Sequence, residues 1–273
     1  MIYLNDKPIQ VDHFPDNTQL LKLNVKDQFG QAKESHVFWQ YESDEELVTL
    51  IYLTGHLRAH GVERIQLHLP YCPNARMDRV KDSEDVFTLK YFANIINSLN
   101  FECVHVLDPH SNVTPALIDR VVVHSPEPYI DRAIQDIYAK HGGANSSPLV
   151  TFFPDEGASK RYSDMVGTHC AFGIKKREWK TGKILGLDVS GDIEAIKGRN
   201  VLIVDDLCSK GTTFIKSAEK LKELGANKIY LYVTHCEQTI FDGLILYNGL
   251  IDKVYTTDSL ARESHENIMI YKI

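Results

Sequence analysis

Residues 201–214 read Val-Leu-Ile-Val-Asp-Asp-Leu-Cys-Ser-Lys-Gly-Thr-Thr-Phe, and this stretch restricts the possible folds more than any other. Val201 to Val204 are four consecutive apolar residues, the pattern of a strand buried on both faces. Phe214, Ile215, Ala218, Leu221 and Leu224 then recur at helical spacing. Lys228-Ile-Tyr-Leu-Tyr-Val233 supplies a second strand-like run, completing a strand–loop–helix–strand unit. A unit of that kind belongs to a parallel sheet with helical layers packed on it.

The remainder of the chain alternates in the same way. Ser43-Asp-Glu-Glu46 has capping-box spacing and precedes Leu47, Leu50, Ile51 and Leu57 at helical intervals, with Gly61 as a stop. Ile65–Leu69 reads as a strand, Phe87, Tyr91, Ile95 and Leu99 as a helix, and Val104–Leu107 as a strand, with Val121–Val123 closing the first half. Pro126, Pro128 and the run His141-Gly-Gly-Ala-Asn-Ser-Ser-Pro148 punctuate the middle, with a helical stretch near 129–140 between them. Leu149–Phe153 restarts the pattern. The expected fold is α/β in two domains, residues 1–125 and 126–273.

With 43% hydrophobic residues over 273, the chain can build two cores of ordinary size. Its net charge of −7 argues against a nucleic-acid-binding surface. Five scattered cysteines without a C-x-x-C pair argue against a disulfide framework or a zinc site. The N-terminus lacks a basic region followed by an apolar core, and no apolar run reaches membrane-spanning length. The expectation is a cytoplasmic protein without membrane or nucleic-acid partners.

The chemistry concentrates where strands end. Ser209, Lys210, Gly211, Thr212 and Thr213 open a helix, so unpaired backbone amides and the positive end of the helix dipole converge there, a natural phosphate site. Asp205 and Asp206, at the carboxyl end of the preceding strand, are placed to accept hydrogen bonds from paired sugar hydroxyls or to hold magnesium. Phosphate on one side and diol on the other describe a ribose 5-phosphate. Upstream, Pro70-Tyr-Cys-Pro-Asn-Ala-Arg-Met-Asp-Arg79 follows a strand, and its two guanidinium groups can hold a polyphosphate through forked hydrogen bonds. Gly173-Ile-Lys-Lys-Arg-Glu-Trp-Lys-Thr-Gly-Lys183 is a basic loop bounded by glycines.

The 201–214 stretch resembles the ribose-phosphate binding loop of the type I phosphoribosyltransferase fold. The other motifs narrow the resemblance to the ribose-phosphate diphosphokinases, or PRPP synthetases. That family implies two phosphoribosyltransferase-like domains, each a mostly parallel sheet flanked by helices, related by a pseudo-twofold. It implies magnesium-dependent transfer of the β,γ-diphosphoryl group of ATP to the anomeric hydroxyl of ribose 5-phosphate, with AMP released. The arginine segment resembles the family's ATP loop, so Arg76, Met77, Asp78 and Arg79 would contact ATP, Met77 standing where the family has glutamine. Val106-Leu-Asp-Pro-His-Ser-Asn112 resembles the family's Asp-Leu-His segment, making His110 a ligand of magnesium–ATP. Pro154-Asp-Glu-Gly157 resembles its Pro-Asp-x-Gly segment, making Asp155 the second metal residue, with Lys160 and Arg161 expected to begin a helix. The basic loop resembles the mobile catalytic flap, whose cations would be drawn from Lys175, Lys176 and Arg177. Phe14 and Asp16 resemble a loop that reaches the adenine of a neighbouring subunit, which implies a homo-oligomer, a dimer or higher.

One departure is physical. The family usually reads Asp-Asp-x-x-Asp-Thr-x-Gly-Thr in the ribose-phosphate loop, whereas Ser209 here removes a negative charge and Lys210 adds a positive one. A 5-diphosphate acceptor such as ADP-ribose, on the route to NAD, is the alternative this suggests. A plain phosphoribosyltransferase and a non-catalytic synthetase-associated regulator are the other two readings. The first has no need of the Arg76 segment, and the second is expected to lack the flap cations or His110.

Overall fold

The structure, a computed structural model, describes residues 1–25, 33–141, 148–167, 169–177 and 184–273, without the side chains of 141, 175–177, 184 and 185. The fold is α/β, and the chain divides into two compact units, Met1–Ser125 and Pro126–Ile273.

The first unit holds a six-stranded sheet in the order β2-β1-β5-β6-β7-β8. Its parallel part comprises β5 (Glu34–Trp39), β6 (Arg64–Leu69), β7 (Cys103–Leu107) and β8 (Val121–His124). The edge is antiparallel, from β1 (Ile2–Leu4) and β2 (Lys7–Pro8), and β3 (Val11–His13) and β4 (Gln19–Leu21) form a separate hairpin. Helices α1 (Glu45–Ala59), α2 (Thr88–Ser98) and α3 (Val113–Leu117) connect the parallel strands. Because β5 to β8 follow one another in space as in sequence, right-handed crossovers deliver all three helices to one face. Leu50, Leu53, Leu57, Leu89, Phe92 and Ile96 of α1 and α2 bury Val37, Ile65, Leu67 and Val104 there.

Only half of the expected capping box forms at the start of α1. Glu46 Oε2 accepts the Ser43 amide at 3.4 Å and the Glu42 amide at 2.8 Å, but the helix is entered at Asp44 without a side-chain cap. Glu46 also takes the Trp39 indole N–H at 2.9 Å, which ties the helix start to the sheet.

The opposite face of this sheet carries the alternate residues of each strand, and no helix covers it among the described residues. A diagonal row of four histidines crosses it. His36 Nδ1 lies 3.2 Å from His68 Nε2, the His68 and His105 rings stack at 4.4 Å with 4° between their planes, and His105 Nδ1 lies 2.9 Å from His124 Nε2. Burial, then the neighbouring imidazoles, push His68 down to about 4. The same causes lower His105. The unfolded chain therefore binds more protons than the folded one in the acid range, so stability is full above pH 6.5 and is lost as pH falls toward about 4. For half-buried rings the loss is discounted to about 1 kcal/mol, or a few degrees. Thermal melts of His68→Gln should show a flatter decline over that window than the wild type; parallel curves would remove the row from the acid response.

The second unit holds a seven-stranded sheet in the order β11-β10-β9-β12-β13-β14-β15, parallel except for β11. Its strands are β9 (Val150–Phe153), β10 (Cys170–Arg177), β11 (Ile184–Gly191), β12 (Val201–Cys208), β13 (Ile229–Cys236), β14 (Lys253–Thr257) and β15 (Ile268–Tyr271). The helices are α4 (Glu127–His141), α5 (Glu156–Tyr162) and α6 (Thr212–Glu223). Here both faces are covered, as the four buried residues that begin β12 require. Val201 and Ile203 pack with Phe214, Ala218 and Leu221 of α6. Leu202 and Val204 pack with Ile130 and Ile137 of α4 and with Ala158 and Tyr162 of α5.

Two expectations are corrected in this unit. Lys160 and Arg161 lie in the last turn of α5, which begins at Glu156 because Asp155 caps it. Gly173 to Arg177, read from sequence as part of a loop, belong to β10 and pair antiparallel with Ile184–Val189 of β11. The rest of that basic segment, 178–183, lies outside the described residues.

Candidate active site

The second unit's sheet reverses direction between β9 and β12. The chain leaves β9 for β10 on one side and returns to β12 on the other. Such a switch point opens a crevice at the carboxyl ends of the two strands, where α/β proteins bind their ligands. Asp155 follows β9, and Asp205 and Asp206 lie near the end of β12.

The two aspartates lie within the last stretch of pairing of β12, which continues through Cys208, with Leu207 paired to His235 and Cys208 to Cys236. Strand alternation gives them different surroundings. Asp206 follows Leu202 and Val204 toward α5, where its carboxylate, 8% exposed, meets Arg161 Nη1 at 3.5 Å. The Arg161 guanidinium also lies over the Tyr162 ring, 5.1 Å from its centroid. Asp205 follows Val201 and Ile203 toward α6, and its Oδ1 accepts the Asp206 amide at 2.9 Å. Burial first, and then the Asp206 charge, raise the Asp205 carboxyl well above the ordinary carboxylate range. An acceptor in that state is desolvated and has no described cation of its own.

Asp155 serves locally as a helix cap, its Oδ1 accepting the Ala158 amide at 3.1 Å. Its charge is also among the causes that raise Asp205, so the three carboxylates share one neighbourhood.

The turn after β12 is rigid. Gly211 caps α6 at φ +79°, in the left-handed region that glycine favours. Phe214 and Ile215 are the first amides to bond back, both to the Gly211 carbonyl at 3.0 Å. The Thr212 and Thr213 amides precede them and have no intrahelical acceptor. Ser209 Oγ is held 2.9 Å from Thr239 Oγ1, which reaches Glu237 Oε2 at 3.1 Å. A Cβ on Gly243 would fall 2.2 Å from the Lys210 carbonyl oxygen, and one on Gly211 would fall 2.7 Å from Ile245 Cδ1. Residues 237–245 therefore buttress the turn from behind while the side chains of Lys210 and Thr212 face solvent. A rigid turn with outward amides and an exposed cation is suited to a phosphate.

In the first unit, two loops leave the carboxyl ends of the adjacent strands β6 and β7. Leu107 N donates to Pro70 O at 3.2 Å, drawing their roots together. Cys72 and Ala75 are buried and anchor the first loop, leaving Arg76, Met77 and Arg79 exposed. Asp78 is turned inward, its side chain 3% exposed, and pairs with Arg79 Nε at 2.7 Å. The Arg79 bond, with further help from Ser111 and His110, lowers its carboxyl below the ordinary range. Asp78 thus braces the arginine loop against the loop that carries exposed His110. Asp108 in that loop is buried at φ +43°. Phe14 and Asp16 occupy the tip of the β3–β4 hairpin. Phe14 is 48% exposed, and Asp16 Oδ1 accepts both the amide and the hydroxyl of Thr18, so Asp16 shapes the turn. Lys175, Lys176 and Arg177 end β10.

No three His, Cys, Asp or Glu side chains converge into a metal cage among the described residues. Exposed His110 of the first unit and Asp155 of the second, each taken alone, suit a single added ligand to a cation bound mainly by phosphate oxygens, the mode magnesium favours. No helix is long and apolar enough to cross a membrane among the described residues.

Sequence reasoning missed Arg161 as the partner of Asp206 and missed the buttress at Glu237, Thr239, Gly243 and Ile245. An arginine in the last turn of a short helix and an isolated glycine 32 residues after Gly211 leave no local pattern to read.

A family model described as the phosphoribosyl synthetase-associated domain matches residues 154–273. A ribose-phosphate pyrophosphokinase of Thermococcus kodakarensis is 30% identical over 235 residues, spanning 83% of this chain and 77% of that protein. One from Shewanella oneidensis is 29% identical over 241 residues, 85% of this chain and 71% of the relative. Among solved structures, the phosphoribosylpyrophosphate synthetase of Mycobacterium smegmatis superimposes with a TM-score of 0.79 at 18% identity, covering 97% of this chain and 86% of that one.

Proposed function

The chain belongs to the ribose-phosphate pyrophosphokinase family, and from that premise we propose that it transfers the β,γ-diphosphoryl group of ATP to the anomeric hydroxyl of ribose 5-phosphate, giving PRPP and AMP. A pyrophosphokinase of this kind is a transferase. The observation that carries the acceptor assignment is the buttressed turn at 209–213, opening α6 beside Asp205 in the switch-point crevice.

In this reading the Thr212 and Thr213 amides and the Ser209 and Thr213 hydroxyls hold the 5-phosphate. Asp205 accepts the ribose hydroxyls, and Asp206, steadied by Arg161, completes the contact. Arg76 and Arg79 hold the ATP phosphates, with Asp78 positioning the loop and Met77 beside the nucleotide. The residues that would hold magnesium are His110 and Asp155, and the ion supplies charge neutralisation on the transferred group when bound. Lys175, Lys176 and Arg177 deliver positive charge to the developing negative oxygens and exclude water. Little covalent chemistry falls to the protein, so positioning and charge set the rate. Phe14, exposed at its hairpin tip, suits a contact with nucleotide in a second subunit of a homo-oligomer working in the cytoplasm.

Lys210 favours a second acceptor. Its carbonyl is fixed against Gly243 while its side chain faces solvent at the mouth of the turn, where a 5-diphosphate such as that of ADP-ribose would extend. The chemistry at the anomeric hydroxyl would be unchanged.

Release of AMP from ATP, followed by a coupled assay with each sugar in turn, is expected to require ribose 5-phosphate and magnesium. AMP with ADP-ribose alone would select the second acceptor, and AMP with neither would overturn the enzyme reading.

A further inference from the structure

The face of the first unit's sheet that no described helix covers holds chemistry that the proposed transfer does not use. His36 and His68 stand on adjacent strands and line a cavity of about 600 Å³ with Asn5, Asp6, Glu34 and Phe38. Their facing nitrogens, His36 Nδ1 and His68 Nε2, are 3.2 Å apart. Two imidazoles bound to one tetrahedral ion, each about 2.0–2.1 Å from it, place their nitrogens roughly 3.3 Å apart. The observed spacing already lies close to that of a bidentate pair, and a small rotation of the rings would aim both lone pairs outward into the cavity.

The far side of His36 is also prepared. Its Nε2 lies 4.0 Å from Glu34 Oε1, and Glu34 is itself held by Arg64 Nη2 at 2.7 Å and by Gln66 Nε2 at 3.0 Å. Metal-bound histidines characteristically give their other N–H to an oriented carboxylate, which fixes the tautomer and strengthens the ligand. At 4.0 Å His36 and Glu34 are charge neighbours and not hydrogen-bonded, so Glu34 would hold the proton on Nε2 once the ring turns toward it, leaving Nδ1 as the donor. The backbone agrees with the arrangement, since the His36 amide donates to Asn5 Oδ1 at 2.8 Å and fixes the strand at that residue.

We propose that His36 Nδ1 and His68 Nε2, with Glu34 behind His36, form a binding site for a divalent transition-metal ion of the zinc or nickel class, distinct from any magnesium that accompanies the nucleotide. Two imidazole donors select borderline ions over magnesium, which prefers oxygen. With only two side chains as ligands, the remaining positions fall to water in the open cavity. His105 and His124 form the other close pair of the row, but Nε2 of His105 faces Cys103 Sγ at 3.1 Å and Gln66 Oε1 at 3.3 Å, so that nitrogen is already engaged.

Isothermal titration of the untagged full chain with Zn²⁺ and with Ni²⁺, each alone and without nucleotide, tests this. The expected result is one ion per chain, unaffected by magnesium in excess. Binding should be lost in His36→Ala and in His68→Ala, each checked by circular dichroism for an intact fold. It should weaken at least tenfold in Glu34→Gln and persist in His124→Ala. No uptake by the wild type, or uptake that survives both His36→Ala and His68→Ala, would overturn the site and leave the two rings as partners in an N–H···N hydrogen bond. Product formation from ATP is a separate measurement, so neither result bears on the proposed transfer.

Discussion

Gly243→Ala is expected to lower activity about a hundredfold and to destabilise the second unit by about 3 kcal/mol. The added methyl would stand 2.2 Å from the Lys210 carbonyl oxygen and 3.0 Å from its carbon. Both are backbone atoms, so no rotamer change relieves the contact and one of the two loops must move. Gly243 is held by its own amide, which donates to Ile240 at 3.1 Å. Lys210 leads directly into the Gly211 cap, and a shift there rotates the Thr212 and Thr213 amides away from their common focus. A displacement of about an ångström suffices for a loss of the size expected. Thermal melts and AMP release would be measured together on the purified variant. Wild-type values for both would mean that the turn is not braced from behind, and the acceptor site would have to be sought elsewhere.

Asp205→Asn should separate stability from activity. Burial and Asp206 raise the Asp205 carboxyl well above its ordinary value of 3.8. A carboxyl raised on folding contributes stability that is complete below the unfolded value and disappears as pH rises through the folded one. Above pH 3.8 the carboxyl of Asp205 therefore costs the protein stability, whether as a buried charge or as a proton taken up on folding. Asparagine removes that charge and keeps an oxygen for the Asp206 amide, which now reaches Asp205 Oδ1 at 2.9 Å. The melting temperature of the variant should exceed that of the wild type at neutral pH by a few degrees, with no gain below pH 3.8. Product formation should fall by two orders of magnitude or more, because an amide is a poorer acceptor for sugar hydroxyls than a carboxylate. A variant that is both less stable and fully active would show that Asp205 is a structural group.

The sequence made the strands and helices of both sheets legible because their burial is periodic. The run from Val201 to Val204 demanded cover on both faces, and two separate cores supply it. Phe87, Tyr91, Ile95 and Leu99 marked a helix that spans Thr88–Ser98. The antiparallel edge formed by β1 and β2 was not legible, since strands of three and two residues are too short to show a period. At the site, residue types pointed to the Asp205 turn and the Arg76 loop, but their partners lay far along the chain. Arg161 and Asp206 are 45 residues apart, and Thr239 lies 30 residues from Ser209. Asp78, expected from the resemblance to contact ATP, is itself buried and pairs with the exposed Arg79 beside it. Alternation in a loop is not fixed by sequence, and only packing shows which side chain turns in.

Helix α5 has seven residues, and its two ends do different work in one crevice. Asp155 starts it, and Arg161, near its end, steadies Asp206. Loss of the cap frays the turn that aims the guanidinium, so the harm from a change at one of the three is already partly incurred once another has changed. The three therefore act as one coupled unit, and their separate contributions do not add.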